Sequence, residues 1–391
     1  MGCTMSRDGK GLVELKDWVL KEVLSVLVLL WPSNIVARYS AKDILLSAIW
    51  ATVKKSSIHR VCQDRVKGPT DKTVRTYLSI FNIKLLQKNI HKLLMIPIKD
   101  ILRPSRYKFA IDLTDIPYHG EPKNSPNEIR RSKAKSGTTH FHSYASLYVI
   151  RTNKRYTLDM LRVTKNTSLT WIVDTFINHI KKDGYKIKLL YMDKGFYQVR
   201  VIRYLQRKNI PTIIPGVPRG RSGGLRKKYG GRQSYRTKYT MRSPRYKCEV
   251  TFPLYIIKKY SKCRYGRSGT KTFTYAVLNI NVPVENVFEE YRSRFGIESS
   301  YRLMNSCRAR TSSRDPEFRF YLMFLSFLIL NYWVASKWLY VSETRKGGRK
   351  VYTDDLSSHT FCNLIDRALE KIFGLKNFLI QPKWFKIQGK I

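Results

Sequence analysis

Three carboxylates stand out in a chain that is otherwise poor in acid. Asp112 sits inside the apolar run YKFAIDL, Asp193 closes KLLYMD ahead of Lys194-Gly195-Phe196, and Glu298 lies in YRSRFGIESSYR. An unpaired carboxylate is expensive to bury, so an acid on an apolar strand implies a cationic or metal partner. Strand alternation puts Asp112 on the face of Ala110 and Thr114, opposite Phe109, Ile111 and Leu113, which favours it over Asp115. Tyr291, Arg294 and Glu298 follow one another at i, i+3 and i+7, along one helical face. Two strand-end aspartates and a helix glutamate in a basic protein describe a Mg²⁺ site. Hard oxygen ligands there hold one or two ions and leave positions open for water and phosphate oxygens. The plainer readings are that Asp193 caps a helix and that Glu298 pairs with Arg294 or Arg302.

The elements that must position these residues follow from apolar periodicity. YKFAIDL, Phe141–Arg151 and Arg155–Val163 read as strands, Ser168–Lys182 as a helix, Ile187–Met192 as a strand, Phe196–Lys208 as a helix, and Ile210–Ile214 as a strand. Three strands followed by alternating helix and strand predict a mixed sheet with helices packed on it. A helix over Val284–Met304 would carry Glu298, and an apolar helix near Phe320–Tyr340 follows. Before the sheet, residues up to about Leu102 read as helical, in Leu12–Leu30, Ala41–Val53 and Val74–Leu94. Ser57–Val66, the turn Lys67-Gly68-Pro69-Thr70 and Asp71–Phe81 form helix, turn, helix, with Thr70 or Asp71 as cap. This is either a DNA-binding helix-turn-helix presenting Lys72 and Arg75 or an ordinary helical hairpin with a solvated basic face.

The 391 residues carry 74 Lys and Arg against 28 Asp and Glu, a formal charge of +46. A folded protein this cationic repels itself unless it meets a polyanion, which makes nucleic acid the expected partner. The charge is concentrated: between Lys194 and Val284 the single acid Glu249 faces 22 Lys and Arg. That stretch opens with PRGRSGGLRKKYGGRQ, which includes Arg226, Lys227 and Lys228, and continues in β-type segments interleaved with Tyr. Cations for phosphates and rings for bases suit a nucleic-acid surface. PRGRSGG lacks the Gly-Lys-Ser/Thr ending of a phosphate loop. Six scattered cysteines without a C-x-x-C pair argue against a zinc site or a disulfide framework, so a reducing cytosol is the expected setting. His140 and His142 share a strand face without a third ligand, which favours a surface or hydrogen-bonded role over metal binding. The apolar run Phe320–Val334 falls short of the ~20 residues of a membrane span, and no membrane partner is expected.

The blocks IDLTDIPYHG, LLYMDKGFYQ and YRSRFGIESSYR resemble the DDE transposases of prokaryotic insertion sequences, nearest to the IS-four-type superfamily and its archaeal relatives. Asp112 and Thr114 match that family's Asp-x-Thr. Asp193, Gly195 and Phe196 match Asp-x-Gly-Phe/Tyr, and Tyr291, Arg294 and Glu298 match its Tyr-Arg-Glu block. The Lys that closes the block is Asn305 here, and Arg302 is the nearest substitute. The resemblance implies an RNase-H-like core with a β-rich basic insertion between the last sheet strand and the glutamate helix, behind an N-terminal all-helical domain. It implies that Asp112, Asp193 and Glu298 bind two Mg²⁺ (or Mn²⁺) ions. Tyr291, Arg294 and Arg302 would hold double-stranded DNA, with Lys72, Arg75, Arg226, Lys227 and Lys228 as further contacts. The expected activity is cleavage at the terminal inverted repeats and joining of 3′-hydroxyl ends to target DNA, in a synaptic homodimer in a prokaryotic, nucleoid-associated cytoplasm. Two alternatives share these residues, a metal-dependent nuclease that never joins ends and an inactive DNA-binding relative.

The expected organisation is therefore a helical domain over 1–103, a first core part over 104–216, a basic insertion over 217–283, closing core helices over 284–345, and a tail over 346–391.

Overall fold

The computed structural model describes residues 4–5, 13–31, 39–80, 83–151, 154–218, 223–262, 268–295, 304–346, 348–352 and 355–376. Five helices open it, α1 (Leu15–Val28), α2 (Ala41–Val53), α3 (Ile58–Asp64), α4 (Asp71–Leu78) and α5 (Ile83–Met95). Side-chain oxygens of Ser40, Ser57 and Thr70 cap α2, α3 and α4 by accepting from Asp43, Arg60 and Thr73 backbone N–H groups.

The core strands follow as β1 (Arg106–Pro117), β2 (Arg130–Lys135), β3 (Thr138–Arg151) and β4 (Lys154–Val163). Then come α6 (Leu169–Lys182), β5 (Lys186–Met192), α7 (Val199–Arg207) and β6 (Thr212–Pro215). The basic stretch supplies β7 (Tyr235–Ser243), β8 (Cys248–Lys262) and β9 (Ser268–Leu278). The chain continues with α8 (Val287–Arg292), the long α9 (Pro316–Tyr340), the hairpin β10 (Ser342–Arg345) and β11 (Gly348–Val351), and α10 (Ser358–Phe373).

One nine-stranded sheet organises the fold, in the order β2-β3-β1-β5-β6-β9-β8-β7, with β4 pairing along the remainder of β3. The β1-β3-β4 meander is antiparallel, whereas β5 joins β1, and β6 joins β5, in parallel. A mixed sheet with helices packed on both faces is the architecture expected of an RNase-H-like core. The basic segment, between β6 and α8, is built into this sheet. Its three strands continue the same sheet antiparallel from β6, because Tyr275–Leu278 find free edge partners at Thr212–Pro215.

Apolar layers cover both faces, as alternation along β1 requires: Phe109 and Ile111 join one cluster with α6 and α7, while Ala110 joins the other. That second cluster runs without a break through α1, α2, α9 and α10, so the N-terminal helices share a core with the sheet.

Two expectations change here. Residues 346–391, expected as a tail, contain α10, whose Phe361, Ile365, Leu369 and Phe373 form a buried stripe. Trp50 of α2 stacks on Phe373 at 5.4 Å and donates from Nε1 to Asp366 at 2.6 Å. The stripe's flanking charges had hidden its period. The helix expected over Val284–Met304 is instead broken into short turns up to Phe295, where Ser293 Oγ donates to the Glu290 carbonyl and competes with the helical ladder. Residues 296–303 lie outside the described set.

α9 is long and apolar enough to cross a membrane, but 89% of its most apolar window is buried inside the fold. Its Asn331 is fully matched. Nδ2 donates to the Leu94 and Thr157 carbonyls at 3.0 and 2.7 Å, and Oδ1 accepts from Thr157 N at 3.1 Å. Asp315 caps α9 through Glu317 and Phe318 N–H groups and pairs with Lys123 at 2.6 Å.

A second polar clamp joins α5 to the sheet. Fully buried Asp159 accepts from His179 Nδ1 at 2.5 Å, His91 meets Asp183 at 2.6 Å, and the two imidazoles stack at 4.6 Å. The hydrogen bond to Asp159 raises the His179 pKa above its ordinary value against burial, with Asp159 and Asp183 charge adding to it and Lys182 opposing.

Replacing Asn331 with Leu should cost about 3 kcal/mol in denaturant unfolding, because three buried backbone groups lose their partner. A raised imidazole pKa contributes stability that is complete below the unfolded value near 6.5 and is lost as pH rises through the folded one. The stability gap between wild type and His179→Asn should therefore be larger at pH 6 than at pH 8.5.

Candidate active site

Asp112 and Asp193 come together because β1 and β5 are adjacent and parallel at the sheet centre, in register at Ile111 and Met192. Asp112 is 6% exposed, and its Oδ1 accepts from Leu113 N at 2.9 Å. Asp193 ends β5, and its side chain makes no capping hydrogen bond to the turn Lys194–Phe196, which sets aside the capping reading.

One guanidinium serves both acids. Arg294 Nη2 lies 3.1 Å from Asp112 Oδ2 and 3.7 Å from Asp193 Oδ1. Arg294 itself is 6% exposed. Burial works against its charge, yet Asp112, Tyr291 and Asp193 together hold its pKa above the ordinary value. Asp112 is pushed up to about 6, first by burial and also by Asp193, with Arg294 pulling the other way. Arg294 Nη1 donates to the Tyr291 hydroxyl at 3.0 Å, and that hydroxyl donates to the Met192 carbonyl at 3.2 Å. Burial raises the Tyr291 pKa, so the phenol keeps its proton.

What aims α8 at the carboxylates is Glu290, which the sequence did not single out. It pairs with Lys108 of β1 at 2.5 Å and accepts from the Tyr191 hydroxyl of β5. Despite burial, these partners hold its pKa below the usual carboxylate value. The available signal was one more acid in an acid-poor chain, one position before Tyr291.

The remaining expected residues fall into three groups. Glu298 and Arg302 lie outside the described residues. Tyr291 and Arg294 are buried and directed to Asp112, Asp193 and Met192, and Asn305 is exposed. Lys72 and Arg75 are exposed on α4, with Arg75 pairing with Asp71; Arg226, Lys227 and Lys228 are exposed on the turn Gly224–Lys228.

The carboxylate pair suits a divalent cation. Its hard oxygens already share one positive group, and its like charges need one. Among the described residues, one His/Asp group also has donor atoms within 4.8 Å of one another, His91, Asp159 and His179, but in the clamp described above Asp159 is taken by His179, and both ring nitrogens of His91 are engaged, with the Leu158 carbonyl and with Asp183. His142, by contrast, is buried with Nε2 lacking a hydrogen-bond partner. Burial, then Arg319 and Arg162, pulls its pKa down to about 3.

The family described as transposase DDE domain matches residues 103–332, more than half of the chain. The chain belongs to the DDE transposase family. The matched span of this DDE domain begins just before β1 and ends within α9, taking in Asp112, Asp193, Tyr291 and Arg294. Among solved structures, the fold is similar to that in a cryo-EM structure of the piggyBac transposase synaptic complex with hairpin DNA. The TM-score is 0.52 at 10% identity, over 92% of this chain and 78% of that one. No curated protein sequence matches.

The electrostatics of the carboxylate pair can be checked directly. In a ¹³C-carboxyl titration by NMR, Arg294→Met should move Asp112 above its value near 6, since a favourable positive charge is removed. Asp193→Asn should move it down, since a neighbouring negative charge is removed.

Proposed function

We propose that this DDE transposase cuts the ends of an insertion sequence and joins the 3′-hydroxyl ends to target DNA. The observation that carries this reading is the convergence of Asp112 and Asp193, from adjacent parallel strands, on the guanidinium of Arg294. The blocks quoted above favour the IS-four-type superfamily and its archaeal relatives, hence a nucleoid-associated protein in a prokaryotic cytoplasm. They also add Glu298 as the third ligand of two Mg²⁺ or Mn²⁺ ions. Such ions, when bound, supply an activated water or 3′-hydroxyl and neutralise charge on the leaving oxygen.

The chain's own residues define the rest. Asp112 is held in place by the Leu113 N–H and Asp193 by the end of β5, so both oxygens are placed before substrate arrives. Arg294 offsets their repulsion until then and is afterwards available to a phosphate. Tyr291 is not a nucleophile: its proton is retained and its hydroxyl is committed to the Met192 carbonyl. Exposed Lys72, Arg75, Arg226, Lys227 and Lys228 provide sequence-independent hold on double-stranded DNA, both terminal repeats and target. Two ends must be joined, which calls for a homodimer in the synaptic complex.

The test is Mg²⁺-dependent cleavage of terminal-repeat DNA, followed by strand transfer of a 3′-hydroxyl donor end into plasmid. Asp193→Asn should lower both by roughly 10³–10⁴-fold with DNA binding retained. Cleavage that survives the substitution removes Asp193 from the site, and cleavage without any joining assigns a nuclease.

A further inference from the structure

The row of side chains that begins at the two carboxylates runs on across the sheet to a cation. Asp112 and Asp193 come one residue after the pair Ile111–Met192, and Tyr191 stands opposite Ile213, which sets Asp193 level with Pro215. Pro215 pairs with Tyr275, Tyr275 with Tyr255, and Tyr255 with Arg236 of the edge strand β7. Tyr191, Tyr275 and Tyr255 all join the apolar cluster of Ala110, so Arg236 is on the carboxylate face. Five strand spacings of ~4.8 Å put it about 24 Å from Asp112. Alternation brings Lys238 and Arg242 to the same face, and all three are exposed.

The turn that carries Arg226, Lys227 and Lys228 is on the other side of the sheet. Its Leu225 belongs to the cluster of Phe109, Ile111 and α7. Lys258 of β8, which shares the face of Leu254 and Ile256, donates to the Tyr229 carbonyl at 2.7 Å and holds the turn there. The basic stretch thus divides its charge between two faces, and only the β7 set is on the side of the carboxylates.

Arg236 is held in one direction. Its guanidinium lies over the Tyr255 ring at 5.5 Å, and Nη1 donates to Asn281 Oδ1 at 3.0 Å. Neither contact neutralises it. Among the described residues Arg236 and Lys238 form no ion pair, and Arg242 meets Glu249 at 2.9 Å where both are largely exposed, a pairing of little worth. Charges on an edge strand also deter edge-to-edge pairing, but that purpose needs no guanidinium fixed in place. Between Arg236 and the carboxylates stands α8, with Tyr291 on Tyr275 at 5.2 Å and Phe288 on Phe273 at 4.8 Å. A ligand serving both ends of the row is therefore a long polyanion, and one strand of a duplex carries about seven phosphates over such a length.

We propose that Arg236, Lys238 and Arg242 grip the backbone of the same double-stranded DNA whose end lies at the carboxylates, about seven phosphates from that end. The duplex contacts the chain on either side of α8, and its major groove is wide enough to admit a helix. Arg226, Lys227 and Lys228 do not touch this stretch of it. That the end lies at the carboxylates rests on the function proposed above; a nucleic-acid grip on this face does not.

The test is binding of the full chain to duplex DNA in EDTA, followed by fluorescence anisotropy. On a random-sequence duplex, Arg236→Gln, Lys238→Gln and Arg242→Gln together should lower the salt dependence by about three released ions, and Lys238→Gln alone by about one. On a terminal-repeat duplex with a 3′-hydroxyl end, neutral methylphosphonates about seven steps from that end should weaken wild-type binding roughly tenfold. The β7 triple variant should ignore the methylphosphonates, whereas Arg226→Gln, Lys227→Gln and Lys228→Gln together should leave the wild-type sensitivity.

An unchanged salt dependence in Lys238→Gln and in the triple variant overturns the grip and leaves a solvated edge. A lowered salt dependence, with methylphosphonate sensitivity kept in the triple variant or absent from the wild type, overturns the shared duplex. A wild type that shows the whole binding pattern but never cleaves in Mg²⁺ overturns the transposase reading and leaves the grip standing.

Discussion

The structure is organised around placing two like charges side by side at the centre of a sheet. Parallel pairing of β1 with β5 brings the Asp193 charge close enough to buried Asp112 to oppose that acid's ionisation, on top of the cost of its burial. Arg294 makes that arrangement tolerable. It reaches both acids because Glu290 ties α8 to Lys108 of β1, the strand that carries Asp112 midway, and to Tyr191 of β5, the strand that leads into Asp193. The polar chain from Glu290 through Tyr291 to Arg294 thus turns strand register into side-chain position.

A consequence for chemistry is that the site has a cation before any metal arrives. The guanidinium is a weaker match than a divalent ion for two hard carboxylates, but its hydration is also weaker and it is tethered. Its contacts at 3.1 and 3.7 Å are unequal, with the shorter going to the more buried acid. Asp193, about a third exposed, is the more approachable of the two acids.

Much of this was legible in the residues. The succession of strands and helices along the core, both aspartates and the Tyr-x-x-Arg spacing were readable locally, from apolar periodicity, from acids placed where apolar residues belong and from helical spacing. The Thr70 cap was visible as a side-chain oxygen ahead of a helical pattern. What stayed hidden depended on long-range partners. Glu290 looks like any helix-surface acid until Lys108 and Tyr191 are seen beside it. The strands from the basic stretch read as a separate unit because nothing local reveals that β6 offers them an edge. α10 was obscured because its stripe means little until Trp50 and α2 are there to cover it. His142 was read as a surface or hydrogen-bonded residue, whereas it is buried with Nε2 unpartnered, beside Arg162 and Arg319 that arrive from other elements.

The shared core of the first and last helices has a bearing on how the molecule is made. Trp50 and Asp366 are 316 residues apart in sequence yet bonded to one another. At a ribosome adding roughly 5–20 residues per second, the apolar side of α2 waits about 15–60 s for its cover to be synthesised. During that interval a strongly cationic nascent chain displays greasy helices near ribosomal RNA, itself a polyanion. Early shielding by a chaperone, or transient docking on the RNA, would be decisive for how much of each chain ends up soluble.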